Sequence, residues 1–136
     1  MSDHLLDTSI LIRYLRKTSG YRDLLRITGS KGWTYISVMT RLEITRGMQE
    51  RELKETIDLL DSLETIPMTI EIADMAGELI RSWRSRGINL GDADAIIAAS
   101  ALQVGLALVT TNGKHFPMPD LVVYQADELG KLTLRE

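Results

Sequence analysis

The stretch GDADAIIAASALQVGLALVTTN, residues 91–112, decides the fold. Gly91 and Asp92 can open a helix of small apolar residues with Asp92 as its N-cap, and Gly105 can close that helix. The apolar run 106–109 that follows is typical of a strand buried on both faces of a sheet. A helix that leads directly into such a strand predicts an α/β fold with a mainly parallel sheet.

The rest of the chain repeats this alternation of short strands and longer helices. Strands are predicted at 4–6, 33–36, 65–67, 106–109 and 121–124. Helices are predicted at 8–17, 21–27, 38–48, 50–63, 70–86 and 92–104. Thr8 and Ser37 are good N-cap residues for the first and third of these helices. The sequence therefore predicts an α/β sandwich in which helices flank a central, mainly parallel sheet, built as one domain over residues 1–136.

Composition limits the class of protein. The 136 residues carry a net charge of −3, so any nucleic acid must be bound by local Lys and Arg or through a metal ion. There is no cysteine, which excludes disulfides and thiolate metal sites. The N-terminal residues lack the order of a signal peptide, and every apolar run is too short to span a membrane. We therefore expect a cytoplasmic protein without a membrane partner.

Three carboxylates occupy positions that suit a reactive centre. Asp7 ends the first strand, at the sheet edge where ligands bind in open α/β folds. Glu43 shares one helix face with Thr40 and Gly47, and the glycine would let another backbone approach. Asp94 lies in the first turn of the small-residue helix, on its apolar face. Singly, each acid has a structural alternative, as a helix cap, a solvated side chain or a charge that favours the helix dipole.

Polar residues after the apolar strand 106–109 add to the same edge. Thr110, Thr111 and Asn112 suit hydrogen bonds to phosphate or to metal-bound water, although Asn-Gly also forms turns without any function. Clustered acids repel one another unless a cation is present. An oxygen-only donor set favours Mg²⁺ or Mn²⁺ over zinc, and His4 and His115 lack the spacing of a zinc peptidase.

These motifs together resemble the PIN domain and, within it, the VapC type of toxin ribonuclease. The matching stretches are LLDTSILI (5–12), SVMTRLEITRG (37–47) and GINLGDADAIIAASALQVGLALVTTNGKHF (87–116), in the family's order. The resemblance implies a PIN-like α/β/α sandwich and a magnesium-dependent endoribonuclease, with manganese as an alternative ion. It also implies an RNA substrate, a VapB-like antitoxin as partner and a homodimer.

The resemblance assigns roles to individual residues. The family's first three acids, which hold its metal, correspond to Asp7, Glu43 and Asp94. Its fourth acidic position is often an Asp, but here it is Asn112, so a fully occupied second metal site is not implied. With metal on the three acids, Asn112 and Thr110 would orient the attacking water or the phosphate.

Supporting polar positions of the family are also present. Ser9 corresponds to a small polar residue near the metal, and Ser37 and Thr40 correspond to the polar positions before the Glu. Candidate phosphate contacts are Arg41, Arg46, Arg81, Arg84, Arg86 and Lys114, each of which could equally be a solvated surface residue.

Two other functions remain open from the residues. A receiver-like phosphoryl-transfer domain would use Asp7 as the phosphate acceptor beside Mg²⁺, but it would give Glu43 no role. A catalytically weak or inactive PIN-like module that binds RNA or protein is favoured by Asn112, and is disfavoured because the other three acids are all kept.

Overall fold

The computed structural model describes residues 3–136, so the first two residues of the predicted domain 1–136 lie outside it. The strands are β1 (His4–Leu6), β2 (Thr34–Ser37), β3 (Glu64–Ile66), β4 (Ala107–Thr110), β5 (Val123–Ala126) and β6 (Leu132–Leu134). The helices are α1 (Thr8–Leu15), α2 (Tyr21–Lys31), α3 (Val38–Gly47), α4 (Leu53–Asp61), α5 (Ile70–Arg84) and α6 (Asp92–Val104). Short 3-10 turns occupy Glu50–Glu52 and Gly113–His115.

The sheet has the strand order β3-β2-β1-β4-β5-β6. The first five strands in this order pair in parallel, and β6 pairs with β5 in the antiparallel direction. β1 lies at the centre, where His4 is in register with Thr34 on one side and Ala107 on the other. The predicted mainly parallel α/β architecture is confirmed.

Alternate residues of the central strands point into two separate cores, as the period of two in a strand requires. Leu5 and Leu108 pack with α5 and α6 on one face of the sheet. Leu6 and Val109 pack with α1, α2 and α4 on the other face. These two cores make the predicted three-layer sandwich. None of the helices within residues 3–136 has both the length and the apolar character needed to cross a membrane.

Two predicted helix caps were wrong by one residue. Asp7, rather than Thr8, is the N-cap of α1, and its Oδ1 accepts a hydrogen bond of 2.9 Å from the Thr8 amide. Gly91, rather than Asp92, is the N-cap of α6, so Asp92 is the first helical residue. In both places a carboxylate at the helix start is stabilised by the positive end of the helix dipole. Ser37 caps α3 as predicted, accepting a hydrogen bond from the Met39 amide.

Other element boundaries differ from prediction for local reasons. α2 continues through Gly29 to Lys31, with the Thr28 and Ser30 hydroxyls bonded to carbonyls of its own helix. The predicted helix 50–63 is split, because the Gln49 amide donates to the Glu52 carboxylate and closes a 3-10 turn before α4. The predicted last strand 121–124 lies two residues further along, as β5, and is followed by β6, which we did not predict.

Candidate active site

The strand order reverses at β1, which places the candidate site at a topological switch point. Chain connections run from β1 to β2 on one side, whereas β4 is added on the other side. In open α/β sheets the crevice for a ligand forms at the carboxyl end of the strands at such a point. Asp7 follows β1 and Thr110 ends β4, so both lie at this edge.

Asp7 is buried, with 5% of its surface exposed, and its carboxylate accepts three hydrogen bonds. The Thr8 amide donates to Oδ1 at 2.9 Å. The Ser9 hydroxyl (2.8 Å) and the Thr110 hydroxyl (2.7 Å) donate to Oδ2. A carboxylate has about four acceptor positions, so the protein fixes the orientation of Asp7 and leaves room for one further partner.

The two hydroxyls that hold Asp7 are themselves oriented by the chain after β4. Thr110 Oγ1 accepts a hydrogen bond from the Asn112 amide at 3.0 Å, and Ser9 Oγ accepts one from the Thr111 amide at 3.1 Å. Each hydroxyl has a single proton, and that proton is directed at Asp7. Thr110 therefore serves to position Asp7, and its proton is not available to a water or a phosphate.

Glu43 is linked to the Asp7 side of the site through Thr8. The Thr8 hydroxyl donates to Glu43 Oε1 at 2.7 Å and lies 2.9 Å from the Thr40 hydroxyl. Because the Thr8 proton is used on Glu43, the Thr40 hydroxyl must donate to Thr8. The predicted shared face of Thr40 and Glu43 is thus observed. Thr8 was missed as a site residue, because Thr after a strand-ending Asp also suits an ordinary helix start.

Asp94 completes a group of three acids. Its side chain is 34% exposed and sits in the first turn of α6. Burial raises the pKa of Asp94 above its usual range, and the negative charges of Asp7 and Glu43 raise it further. His115 acts in the opposite direction, with its Nδ1 3.7 Å from the Asp94 carboxylate. The three acids are thus close enough to repel one another.

Two other predicted site residues, Asn112 and Ser37, lie in different environments. Asn112 is exposed, and within residues 3–136 its hydrogen bonds are made by its backbone rather than by its carboxamide. Ser37 is fully buried, and its hydroxyl caps α3, the helix that carries Glu43. Gly47 does not bring a second backbone close, because a Cβ there would meet nothing within 4 Å among the described residues.

The candidate phosphate contacts separate into different classes. The Arg41 guanidinium donates hydrogen bonds to the Leu60 carbonyl, the Thr65 hydroxyl and the Asp61 carboxylate, so it is already occupied by contacts within the chain. Arg46 lies 3.9 Å from Glu43 and stays 70% exposed at the site. The remaining candidates are exposed on the surface, namely Arg81, Arg84, Arg86 and Lys114.

The donor set fits a hard divalent cation. It consists of carboxylate oxygens whose mutual repulsion a positive ion would relieve. Across residues 3–136, no three His, Asp or Glu side chains converge closely enough to hold a metal by themselves. Mg²⁺ usually takes one or two protein carboxylates and keeps several waters, so it does not require such a cluster.

Known proteins are similar to this chain in sequence and in fold. The PIN domain family model matches residues 4–120. Ribonuclease VapC10 of Mycobacterium tuberculosis is 38% identical over 114 residues, covering 84% of this chain and 86% of that protein. The DNA-bound VapBC of Salmonella typhimurium aligns with a TM-score of 0.80 and 25% identity, over 90% of this chain and 97% of that chain.

A toxin–antitoxin complex from Klebsiella pneumoniae aligns with a TM-score of 0.72 and 26% identity, over 86% of this chain and 92% of that chain. The family match covers most of the chain, including the strands and helices that carry the three acids. The resemblance seen in the sequence motifs is therefore confirmed, and this chain belongs to the PIN domain family.

Proposed function

We propose that this chain is a divalent-metal-dependent endoribonuclease, the toxin of a VapBC-type pair, with residues 1–136 acting as one PIN domain. The observation that supports the proposal is the placement of Asp7 and Glu43 at the switch-point edge, linked through Thr8 and near enough to Asp94 for their charges to raise its pKa. The ribonuclease activity named for the VapC10 relative supports an RNA substrate. Oxygen donors favour Mg²⁺, with Mn²⁺ as the alternative ion.

Asp7, Glu43 and Asp94 are the carboxylates that would bind the ion. A divalent ion bound there supplies charge neutralisation for the phosphate and lowers the pKa of a bound water. Asp7 needs no reorganisation to take part, because Ser9 and Thr110 already fix its carboxylate. Thr8 does the same for Glu43. We assign Asn112, exposed beside this edge, to orienting the phosphate or the attacking water.

The test is cleavage of an end-labelled mixed RNA pool by the purified chain with Mg²⁺ or Mn²⁺. Asp94→Asn should reduce the rate by about 100-fold or more, since it removes a carboxylate that would hold the metal ion, and losing even the partners of metal ligands typically costs about 10- to 100-fold. Asp92→Asn is the matched control, because Asp92 is an exposed acid in the same helical turn. We expect it to cleave like the wild type. EDTA should abolish cleavage in every variant.

Calorimetric titration with Mn²⁺ separates the alternatives. The proposal requires Mn²⁺ binding that weakens in Asp94→Asn and not in Asp92→Asn. RNA retention without metal-dependent cutting would instead favour the inactive binding module. Transfer of phosphate from a small phosphodonor to Asp7 would favour the receiver-like alternative.

A VapB-like antitoxin and a homodimer are further parts of the proposal. The Klebsiella pneumoniae neighbour is a toxin–antitoxin complex, which supports the antitoxin partner. Two leucines of α4, Leu59 and Leu60, are buried in the core of the chain and are not accessible to a partner. An open groove of about 220 Å³ beside Glu43 offers apolar side chains instead, among them Ile12, Leu15 and Ile44.

Light scattering after size exclusion, with and without a co-expressed antitoxin, tests both partners. A homodimer would show twice the chain mass of 15.3 kDa. Antitoxin binding should add mass and inhibit RNA cleavage. A monomeric species that co-expression leaves unchanged would contradict both assignments.

A further inference from the structure

The turn that follows β4 carries Asn112 and His115, and it is tied to the C-terminal hairpin of β5 and β6. Gln125, in β5, makes the first tie. Its Nε2 donates to the Thr111 carbonyl at 2.5 Å, and its Oε1 accepts from the Gly113 amide at 2.7 Å. These two bonds bracket Asn112 and fix the backbone on both sides of it.

Gly113 makes this bracket sterically feasible. A Cβ at residue 113 would lie 2.7 Å from Gln125 Oε1, closer than real Cβ contacts occur. A larger residue would therefore push the amide of Gln125 away from the turn. The space beside Gly113 is thus filled by the Gln125 carboxamide.

Arg135, just after β6, makes the second tie. Its Nη1 donates to the Gly113 carbonyl at 3.1 Å and to the Phe116 carbonyl. Its Nη2 donates to the Met118 carbonyl at 3.0 Å and to the Leu121 carbonyl at 3.3 Å. Hydrogen bonds from a charged donor are about twice as strong as neutral ones. One guanidinium thus gathers four carbonyls of the segment 113–121.

The first two of these carbonyls lie on either side of His115. The imidazole of His115 is 3.7 Å from the carboxylate of Asp94. The backbone that presents His115 to Asp94 is therefore held by Arg135, and the backbone of Asn112 is held by Gln125. Gln125 and Arg135 themselves both lie beyond residues 4–120, the part that the family model matches.

We propose that Gln125 and Arg135 are positioning residues of the nuclease site, which set where Asn112 and His115 stand relative to Asp94. This inference rests on the proposed function. Neither residue touches the three acids, so both act through the turn. A displacement of about 1 Å at a reactive centre can cost about 100-fold in rate. Losing the hydrogen bonds from Gln125 and Arg135 would let the turn move, and the rate of cleavage would fall.

The test compares Arg135→Met with Arg135→Lys and with Tyr21→Phe as matched control. Tyr21→Phe removes a 2.7 Å bond from the Tyr21 hydroxyl to the Asp127 carbonyl, in the same hairpin but away from the turn. Hydrogen exchange of residues 111–121 is followed by mass spectrometry, and kcat and KM are measured for RNA cleavage at a temperature where all variants are folded.

We expect Arg135→Met to speed exchange in the turn and to lower kcat about 10- to 100-fold, with KM nearly unchanged. Arg135→Lys should recover part of the loss, and Tyr21→Phe should leave both readouts as in the wild type. If Arg135→Met does not fold, Gln125→Leu tests the bracket on Asn112 in the same way.

Two results would overturn the inference. Unchanged exchange in the turn of Arg135→Met would show that Arg135 does not hold it. Faster exchange with an unchanged kcat would show that the tie is merely structural. If the wild-type chain itself fails to cleave RNA, the proposed function fails, and the exchange data alone then decide whether Arg135 orders the turn.

Discussion

Replacing Thr8 by Val tests how the two halves of the candidate site are joined. The two side chains have nearly the same shape, so the change removes the hydroxyl and little else. Thr8→Val deletes the 2.7 Å bond to Glu43 and leaves the Thr40 hydroxyl, fully buried, without its partner. The perturbation is therefore electrostatic and local.

The magnitude follows from these two losses. A hydrogen bond to a charged group contributes about 1.5–3 kcal/mol, and an unpaired buried hydroxyl costs about 1–3 kcal/mol. Glu43 keeps 23% of its side chain exposed, so water replaces part of its lost bond and the lower values apply. We expect Thr8→Val to lower the free energy of unfolding by about 2.5 kcal/mol, and Thr40→Val to lower it by about 1 kcal/mol.

The double variant distinguishes this reasoning from simple loss of packing. With both hydroxyls gone no buried group is left unpaired, so Thr8→Val/Thr40→Val should cost about 2 kcal/mol, less than the two single changes together. Urea unfolding followed by circular dichroism, with EDTA present, measures all four proteins. Costs that add to within about 0.5 kcal/mol would show that Thr8 and Thr40 are not coupled, and would refute the hydrogen bond between their hydroxyls.

Two further changes test features outside the site. Burial lowers the pKa of His4, so the unfolded chain binds a proton more readily, and the wild type should lose stability as the pH falls below about 6.5. His4→Phe keeps the edge contact with Tyr124, and its urea midpoint should lack this loss between about pH 7.5 and 5.5; an equal loss in both proteins would contradict the assignment. Gly20→Ala places a Cβ 1.8 Å from the Leu129 carbonyl oxygen at a φ of +89°, and it should lower stability by about 2 kcal/mol or more in thermal melts. Gly29→Ala, at an open helical position, is its control and should be neutral or stabilising by up to about 1 kcal/mol.

The central layers of the fold could be predicted because their sequence patterns have one dominant cause. A strand buried on both faces must be apolar throughout, which identified β4, and small apolar residues allow α6 to pack closely against the sheet. β6 escaped prediction because it is a short edge strand with two of its three residues exposed. Its pairing depends on a turn at Asp127, whose carboxylate accepts from the Leu129 and Lys131 amides.

The acids of the candidate site could be predicted for a different reason. The carboxyl edge of a parallel sheet collects residues that follow strands, so Asp7 and Thr110 were expected to lie together before any distance was known. The direction of each hydrogen bond could not be predicted, since it depends on amides brought in by the turn after Thr110. Gln125 and Arg135 were missed because a Gln in a strand and an Arg after one carry no pattern of their own.

The bond between Asp7 and Thr110 joins residues 103 positions apart. During synthesis, the first acid therefore emerges long before the strand that helps to hold it in place, and a partly made chain contains Asp7 without Thr110. The complete group of acids and hydroxyls forms only when β4 has inserted beside β1. Under the proposed function, this order of assembly keeps the nuclease site incomplete while the chain is still attached to the ribosome.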